Sequence, residues 1–232
     1  MLTLNKMKNL VVFTGAGVSA ESGIRTFRDS DGLWEQYNIM DVATPEAWKR
    51  QPKVVLEFYN ARRKQVVEAL PNTAHKIITQ LESSYNVSVI TQNIDDLHER
   101  AGSTNILHLH GEVRKARSSI DYNLLYNIEE EEIKWGDMCE RGSQLRPHVV
   151  WFGEPVPEMI PAEKIVSSAD ILIVVGTSLN VYPAAGLVSN TKRDCEIFVI
   201  DPGEPLIPAH LKVTWLKQGA STGMEKIVDL LS

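Results

Sequence analysis

Cysteine is scarce in this sequence, which has only Cys139 and Cys195 among its 232 residues. Two thiols so far apart cannot form the disulfide framework that stabilises small secreted domains. A chain of this length buries enough apolar surface to fold without disulfides or a structural metal. The cysteine content therefore fits a reducing compartment, and we expect a cytoplasmic protein.

Long apolar runs and an excess of positive charge are also missing. No apolar stretch reaches the roughly 20 residues of a membrane-spanning helix. The first residues run directly into a strand-like segment and lack the small-residue cleavage site of a signal peptide. Acidic residues outnumber Lys and Arg by 30 to 24, which gives a net charge of −6. We therefore expect neither a membrane nor a nucleic acid as a partner.

Short apolar runs rich in β-branched residues recur along the chain and predict buried parallel strands. They cover residues 9–13, 87–91, 106–109, 149–152, 171–175, 196–200 and 213–216. Helical patterns occupy residues 73–83, 161–169, 182–189 and 222–231. Strands that alternate with helices predict an α/β fold with a largely parallel sheet.

Two stretches interrupt this alternation and predict a smaller inserted domain. Residues 29–70 contain a strong helix pattern at 53–70 but no convincing strand, and residues 111–146 are polar. The predicted boundaries give a large domain of residues 1–28, 71–110 and 147–232, and a small domain of residues 29–70 and 111–146.

A glycine-rich segment, Gly15-Ala-Gly17-Val-Ser-Ala-Glu-Ser-Gly23, follows the first predicted strand. Glycines there allow a sharp turn and a close approach to a diphosphate, whose charge backbone N–H groups can meet. The spacing differs from the Gly-x-Gly-x-x-Gly of dehydrogenases, and the lysine of a P-loop is absent. Just beyond, Phe27 can cover a reactive sugar and Arg28 can pair with the diphosphate. We favour a nucleotide site. The alternatives are that the glycine segment is a turn without a ligand, that Phe27 is a core residue and that Arg28 is a surface residue.

The motifs of this chain, taken in order, resemble those of the sirtuin family. They are GAGVSAESGIRTFR (15–28), TQNIDDLHERAG (91–102), LHLHGE (107–112), PHVVWFGE (147–154), GTSLNVYPAAGL (176–187) and the closing Gln218-Gly-Ala220. Together they span nearly the whole chain. The resemblance implies a Rossmann-like NAD-binding domain and a smaller inserted domain with a helical module and a zinc-ribbon module, degenerate here. That organisation agrees with the two interrupting stretches.

The resemblance also implies the chemistry of an NAD-dependent protein-lysine deacylase, with NAD as co-substrate. In the family, the acyl-lysine carbonyl oxygen attacks C1′ of the nicotinamide ribose and nicotinamide leaves. A histidine base then activates a ribose hydroxyl, and the products are free lysine and O-acyl-ADP-ribose. His110, followed by Gly111 and Glu112, stands at the position of this base, and imidazole titrates near neutral pH. Taken alone, His110 would be interpreted as a structural histidine.

The NAD-binding residues are likewise implied by the resemblance. Polar side chains at the carboxyl end of a strand are where an open α/β sheet binds its ligand. Asn93 and Asp95 would hold the nicotinamide amide and Gln92 the ribose, although Asp95 also fits a helix cap. Asp201, where many family members have Asn, would bind ribose, and Ala220 would contact adenine. The full predicted set is Gly15, Ala16, Gly17, Glu21, Phe27, Arg28, Trp34, Gln92, Asn93, Ile94, Asp95, Gly176, Thr177, Ser178, Asp201 and Ala220.

A tyrosine and an arginine on the predicted helix 53–70 indicate which acyl group is bound. Tyr59 and Arg62 are three residues apart and share a helix face, and such a pair can bind a terminal carboxylate. This resembles class III sirtuins, whose Tyr-x-x-Arg pair recognises succinyl- and malonyl-lysine, so desuccinylase and demalonylase activity is expected beside deacetylase activity. The alternative is an amphipathic helix with a solvated Arg. The acylated protein substrate would bind as an added strand along Val150, Phe152 and Gly153.

The zinc ligands of the family are missing. Where the family has two Cys-x-x-Cys pairs, this chain has Ser and Asp within residues 117–121 and the single Cys139. A tetrahedral structural site needs four ligands, so we predict no zinc and no other metal. The module would be held by hydrogen bonds and packing of Tyr122, Leu124, Leu125, Tyr126 and Trp135.

Two other functional classes remain open at this point. An NAD glycohydrolase or ADP-ribosyltransferase on the same fold would need the NAD site but no acyl-lysine channel, and the Tyr59/Arg62 pair disfavours it. A non-catalytic NAD or ADP-ribose sensor is disfavoured by His110. A hydride-transferring dehydrogenase is disfavoured by the spacing of the glycine loop.

Overall fold

The computed structural model describes residues 7–24, 37–128 and 132–231. Its strands are β1 (Asn9–Thr14), β2 (Asn86–Thr91), β3 (Ile106–His108), β4 (Gly111–Ser118), β5 (Leu125–Asn127), β6 (Leu145–Val149), β7 (Ile171–Val175), β8 (Glu196–Ile200) and β9 (Val213–Leu216). Its helices are α1 (Gly17–Ala20), α2 (Ile39–Val42), α3 (Pro45–Arg50), α4 (Pro52–Glu68), α5 (Thr73–Leu81), α6 (Leu97–Ala101), α7 (Met159–Ser167), a 3₁₀ helix (Ala184–Asn190) and α8 (Ala220–Leu231).

A six-stranded parallel sheet, in the order β3-β2-β1-β7-β8-β9, forms the centre of the fold. The chain builds outward from β1 to one side, then returns to β7 and builds to the other side. In such doubly wound sheets ligands bind where the strand order reverses, at the carboxyl ends of the strands. Here that point lies after Thr14 of β1 and Val175 of β7, which are paired in register.

Apolar side chains cover both faces of this sheet, because successive residues of a strand point to opposite faces. From β1, Leu10 and Val12 pack with helices α5 and α8 on one face. Val11 and Phe13 pack with α7 and the 3₁₀ helix on the other. The continuous apolar runs of the sequence thus correspond to strands buried on both faces.

Helix starts follow local signals in the sequence. The side chain of Asn72 accepts hydrogen bonds from the backbone N–H groups of Ala74 and His75 and so caps α5. Thr44 caps α3 in the same way, and Pro52 opens α4, where a missing N–H costs nothing. The cap of α5 fixes the helix that covers one face of the sheet.

The interrupting stretches form helices α2 to α4 and a three-stranded antiparallel sheet, in the order β5-β4-β6. Phe58 and Tyr59 of α4 pack with Val149 at the end of β6 and with Trp151. The small sheet is thereby attached to the helices. The predicted domain boundaries remain a prediction, and β6 begins two residues before one of them.

The predicted strand 149–152 is wrong. Strand β6 ends at Val149, because the chain turns there: the Trp151 N–H donates to Oε2 of Glu154, and the Phe152 N–H donates to the Ala43 carbonyl. The predicted helix 182–189 is a 3₁₀ helix that begins at Ala184. Hydrophobicity alone could not distinguish a strand from the turn that follows it.

Of the side chains expected to hold the zinc-free module, Tyr126 packs against its buried cluster, whereas others are exposed. Leu125 and Trp135 are 46% and 53% exposed, and the ring of Tyr122 lies beneath the Arg117 guanidinium. The buried cluster is instead Leu56, Ala116 and Ile133, against which Tyr126, Ile128 and Leu145 pack. Burial of residues from α4 and β4 contributes more here than exposed aromatic rings do.

Cys139 lies where the family pairs would bring zinc ligands together. It is buried, its thiol donates to Oγ of Ser118 at 3.4 Å, and its backbone N–H donates to the Ser143 carbonyl. Ser119 and Ser143 are hydrogen-bonded beside it. Hydroxyl contacts thus occupy this corner of the module, and the absence of zinc stays a prediction.

Over the residues that the structure describes, no helix has the length and apolar character needed to cross a membrane.

Gly223→Ala should destabilise the fold. A Cβ at this position of α8 would lie 2.2 Å from Cγ2 of Ile200, so we expect the free energy of unfolding to fall by about 1–3 kcal/mol through overpacking. Urea unfolding measures this. The control is Gly186→Ala, whose methyl would meet only Cε1 of Tyr182 at 4.0 Å. Equal stability of the two variants would contradict the packing described here.

Candidate active site

A cavity of about 660 Å³ opens at the carboxyl ends of β1, β2, β7 and β8. Of the predicted NAD-binding residues, Phe27, Arg28 and Trp34 lie outside the described residues. All the others line the cavity: Gly15, Ala16, Gly17, Glu21, Gln92, Asn93, Ile94, Asp95, Gly176, Thr177, Ser178, Asp201 and Ala220. His110, Tyr59, Arg62, Val150, Phe152 and Gly153 line it too. The structure therefore brings residues from distant parts of the sequence into one site.

The first wall of the cavity is made by two loops whose backbones touch. The Gly17 N–H donates to the Gly176 carbonyl at 2.9 Å, and the Gly15 N–H donates to the Val175 carbonyl at 3.0 Å. A Cβ on Gly17 would lie 2.7 Å from Cα of Gly176, and Gly176 itself has a φ of +62°. These glycines are therefore required by the contact between the loops, a role that the diphosphate hypothesis did not include.

A buried polar network lies at the end of β2. The Ser19 hydroxyl donates to Oδ2 of Asp95 at 3.0 Å and accepts from Nδ2 of Asn93 at 3.1 Å. Oδ1 of Asp95 accepts from the Leu97 N–H at 3.2 Å, so Asp95 also holds the start of α6. Burial raises the pKa of Asp95, while the Leu97 and Ser19 hydrogen bonds lower it. The network fixes an amide and a carboxyl group side by side.

The remaining polar groups of the cavity bond to neighbouring loops. Nε2 of Gln92 donates to Oγ1 of Thr177 at 3.2 Å, which connects the ends of β2 and β7. Asp201 accepts from the Gly203 N–H, and Glu21 accepts from the Ser221 N–H at the start of α8. Gln92 and Asp201 thus have defined positions before any ligand binds.

His110 faces the same cavity in a defined tautomer. Its Nδ1 lies 2.9 Å from the carbonyl oxygen of Gln92, which can only accept, so Nδ1 carries the proton. The lone pair of the neutral ring is therefore on Nε2. Burial lowers the pKa of His110, opposed by the hydrogen bond to Gln92, so the ring is neutral at pH 7. A neutral imidazole with a free nitrogen can act as a general base.

A tyrosine, an arginine and a tryptophan also line the cavity. The indole N–H of Trp151 donates to the Tyr59 hydroxyl oxygen at 3.1 Å, so the Tyr59 hydroxyl accepts there and its own proton is available to another acceptor. Burial raises the pKa of Tyr59 out of the physiological range. Arg62 is 9% exposed and bonds to Gln65 at 3.3 Å. In the described ranges it has no ion pair with a carboxylate.

Trp151 is itself held by charged side chains. The Arg146 guanidinium lies 3.2 Å from the centre of its ring, and the carboxylate of Glu154 accepts from Arg146, from Arg117 and from the Trp151 N–H. Glu154 lies 17% exposed between the two arginines. This cluster fixes the ring that orients the Tyr59 hydroxyl.

Comparison with known proteins decides the family. Residues 15–183 match the model of the Sir2 family. The chain belongs to the Sir2 family.

Relatives of this Sir2-family chain match it over almost its full length. It is 54% identical over 230 residues to an NAD-dependent protein deacylase of Bacteroides thetaiotaomicron, covering 97% of this chain and 98% of that protein. It is 56% identical over 225 residues to one of Helicobacter pylori, covering 97% and 98%. Its fold is similar to that of a crystallised Sir2 homolog–NAD complex, with a TM-score of 0.88, 41% identity and coverage of 97% and 90%. The predicted sirtuin family and Rossmann-like α/β fold are confirmed.

Several residues of this Sir2-family site were missed from sequence. Ser19 lies inside the glycine-rich motif, where a polar residue on a short helix beside the loop is a usable signal. Glu154 lies inside the PHVVWFGE motif but received no role, and Arg146 just precedes it. Apolar lining residues carry no signal of their own, and they include Ile24, Ile39, Ala43, Val66, Val156 and Val181.

Ser19→Ala should destabilise this Sir2-family chain, because Nδ2 of Asn93 and Oδ2 of Asp95 would both lose a buried partner. We expect the free energy of unfolding to fall by about 1–3 kcal/mol, measured in urea. Ser84→Ala, at an exposed serine, is the matched control and should leave stability unchanged. The network would be unsupported if the two variants unfolded at the same urea concentration.

Proposed function

We infer that the acyl pocket of this NAD-dependent protein deacylase accepts groups that end in a carboxylate as well as acetyl groups. The relatives that bear the name NAD-dependent protein deacylase share more than half of its residues over nearly their whole length. The observation that carries the finer proposal is Arg62, a buried cation that lines the cavity and has no carboxylate partner in the described part of the chain.

The residues of the cavity fit NAD as co-substrate. Backbone N–H groups near the start of α1 and hydroxyl groups of Thr177 and Ser178 can bind the diphosphate. Asp201 can accept from ribose hydroxyls, and the Asn93 and Asp95 pair matches the donors and acceptors of a carboxamide. NAD supplies a ribose carbon from which nicotinamide leaves as the acyl-lysine carbonyl oxygen attacks.

Each side chain then has a defined task. Nε2 of His110 would take the proton of the ribose hydroxyl, which attacks the carbon of the imidate formed from the acyl-lysine. Lysine then leaves, and a water molecule adds to the same carbon and releases the C1′ oxygen, which gives O-acyl-ADP-ribose. The hydrogen bond from Nδ1 to Gln92 keeps Nε2 unprotonated and aimed by the backbone. Val150, Phe152 and Gly153, which line the cavity, would contact the substrate peptide, although the turn after Val149 does not offer the regular strand edge expected from sequence.

The part of the cavity at Tyr59 and Arg62 would select a negatively charged acyl group, because it holds a buried positive charge. A buried cation is costly unless it is paired, and the carboxylate of a succinyl or malonyl group would supply the pair to Arg62. Tyr59 stays neutral, since burial raises its pKa, and its free hydroxyl proton can donate to the same carboxylate. Burial lowers the pKa of Arg62, opposed by the charge of Asp95. An acetyl group would supply a carboxylate to neither side chain.

Related proposals concern the rest of the molecule. The division into a large and a small domain, the absence of zinc and a cytoplasmic location stay as predicted from sequence. A glycohydrolase or ADP-ribosyltransferase is disfavoured, because neither requires the buried pair of Tyr59 and Arg62.

Arg62→Met should separate the two deacylase activities. Removal of one partner of a buried charge pair typically costs a hundredfold or more, so we expect kcat/KM for a succinyl-lysine peptide to fall by about that factor. Deacetylation should fall by about threefold or less, since an acetyl group does not contact the guanidinium. The control is Arg193→Met at an exposed site. Equal loss of both activities in Arg62→Met would refute the proposed selectivity.

The pH dependence of deacetylation should report His110. An acetylated peptide is the right substrate, because its acyl group does not titrate. Burial lowers the pKa of His110, so the base is neutral above that pKa and activity is lost as pH falls through it. We expect the acid midpoint of kcat/KM below about 6.5, the ordinary value for histidine. A midpoint above neutrality would contradict this assignment of the base.

A further inference from the structure

His108 forms two hydrogen bonds that the proposed mechanism does not use. Its Nδ1 lies 3.1 Å from the carbonyl oxygen of Asn93, and its Nε2 lies 2.7 Å from Oε1 of Glu99. A carbonyl oxygen can only accept a hydrogen bond, and the same is true of an ionised carboxylate. Both ring nitrogens therefore carry protons, and the ring is an imidazolium.

The surroundings of His108 stabilise this charge. Its side chain is 9% exposed, and burial alone would lower its pKa. The hydrogen bond and negative charge of Glu99, with the charge of Glu112, raise the pKa of His108 overall. For Glu99, burial alone would raise the pKa. The hydrogen bond and the positive charge of His108 lower it overall, so Glu99 is ionised. His110, two residues later, has no carboxylate partner among the residues that the structure describes, and burial lowers its pKa, so it is neutral.

We propose that His108 is an imidazolium at neutral pH and a positioning residue for the nicotinamide end of the site. It joins the loop after β2, through the Asn93 carbonyl, to helix α6, through Glu99. Asp95 lies between these points and bonds to the start of the same helix. The proposal rests on the proposed function, because the loop is where nicotinamide would bind. His108 would act through Asn93 and Asp95 without touching the substrate.

Other charged groups around the ring leave Glu99 as its direct partner. Among the described residues, the titratable groups near it are Asp95, His98, Glu99, Glu112, Lys115, Tyr122, His148 and Glu158. The Lys115 ammonium binds Glu112 and so neutralises the second carboxylate. Ligand atoms of Glu99, His108 and Glu112 also lie within 4.8 Å of one another, as in a cation site. A metal would need the lone pair of Nε2, which the proton occupies here.

Nuclear magnetic resonance of ¹⁵N-labelled protein tests the protonation state without any turnover. The His108 signals are assigned by their loss in His108→Gln. We expect protons on both ring nitrogens at pH 7, and hence a titration midpoint above about 7, higher than the ordinary value for histidine, that falls in Glu99→Gln. A His108 ring that is neutral at pH 7 overturns the proposal.

Kinetics test the positioning role. In His108→Gln we expect KM for NAD⁺ and the nicotinamide inhibition constant each to rise about tenfold, as for a lost charge-assisted hydrogen bond. KM for the acyl peptide should stay within about twofold, and the exposed control Glu163→Gln should match the wild type. A fall in kcat with both NAD⁺ parameters unchanged overturns the proposal. If His108→Gln does not fold, Glu99→Gln, which retains a hydrogen-bond acceptor, must shift the same two parameters in the same direction.

The proposed function and this inference fail separately. If the wild-type protein removes no acyl group, the proposed function is wrong, whereas the resonance experiment and calorimetry of NAD⁺ binding to His108→Gln still decide the role of His108. If acyl groups are removed but NAD⁺ binds His108→Gln as it binds the wild type, only the inference is wrong.

Discussion

The backbone contact between the loops after β1 and β7 determines the geometry of the whole site. These two strands lie side by side where the sheet order reverses, and Gly17 and Gly176 approach so closely that neither could carry a side chain. The contact fixes the first wall of the cavity. Gln92 attaches the end of β2 to this wall through a hydrogen bond to Thr177, and the Gln92 carbonyl orients His110. The positions of Gln92 and His110 therefore depend on a backbone contact that carries no charge and has no direct role in the chemistry.

Charge in this site is controlled by burial and by the choice of partner. Two histidines that are two residues apart have opposite protonation states, because His108 has a carboxylate partner whereas His110, over the described ranges, bonds to a carbonyl. Arg62 is a third case, a buried cation whose partner the substrate would provide. The described part of the chain thus holds a neutral base, the proposed His108 cation and, on helix α4, a buried cation without a carboxylate partner. The proposed transfer of a charged acyl group to ribose would use the base and this buried cation.

Sequence patterns predicted the fold better than the polar details of the site. Strands β7 and β8 have the predicted bounds because their apolar runs are long and buried on both faces. The strand predicted at 149–152 failed because its end is set by the bond from Trp151 to Glu154, which hydrophobicity does not show. Ser19 was not predicted as a site residue, because its role depends on a hydrogen bond to Asp95, which is 76 residues away in the sequence. The motif order placed His110 and Arg62 in one site, but their protonation and pairing came only from the geometry.

The most direct test of the account is the product mixture formed from NAD⁺ and a succinyl-lysine peptide, analysed by mass spectrometry. A deacylase with this site should release nicotinamide, free lysine peptide and succinyl-ADP-ribose in equal amounts. ADP-ribose with the peptide still succinylated, or transfer of ADP-ribose to a protein, would contradict the account and point to a glycohydrolase or an ADP-ribosyltransferase on the same fold.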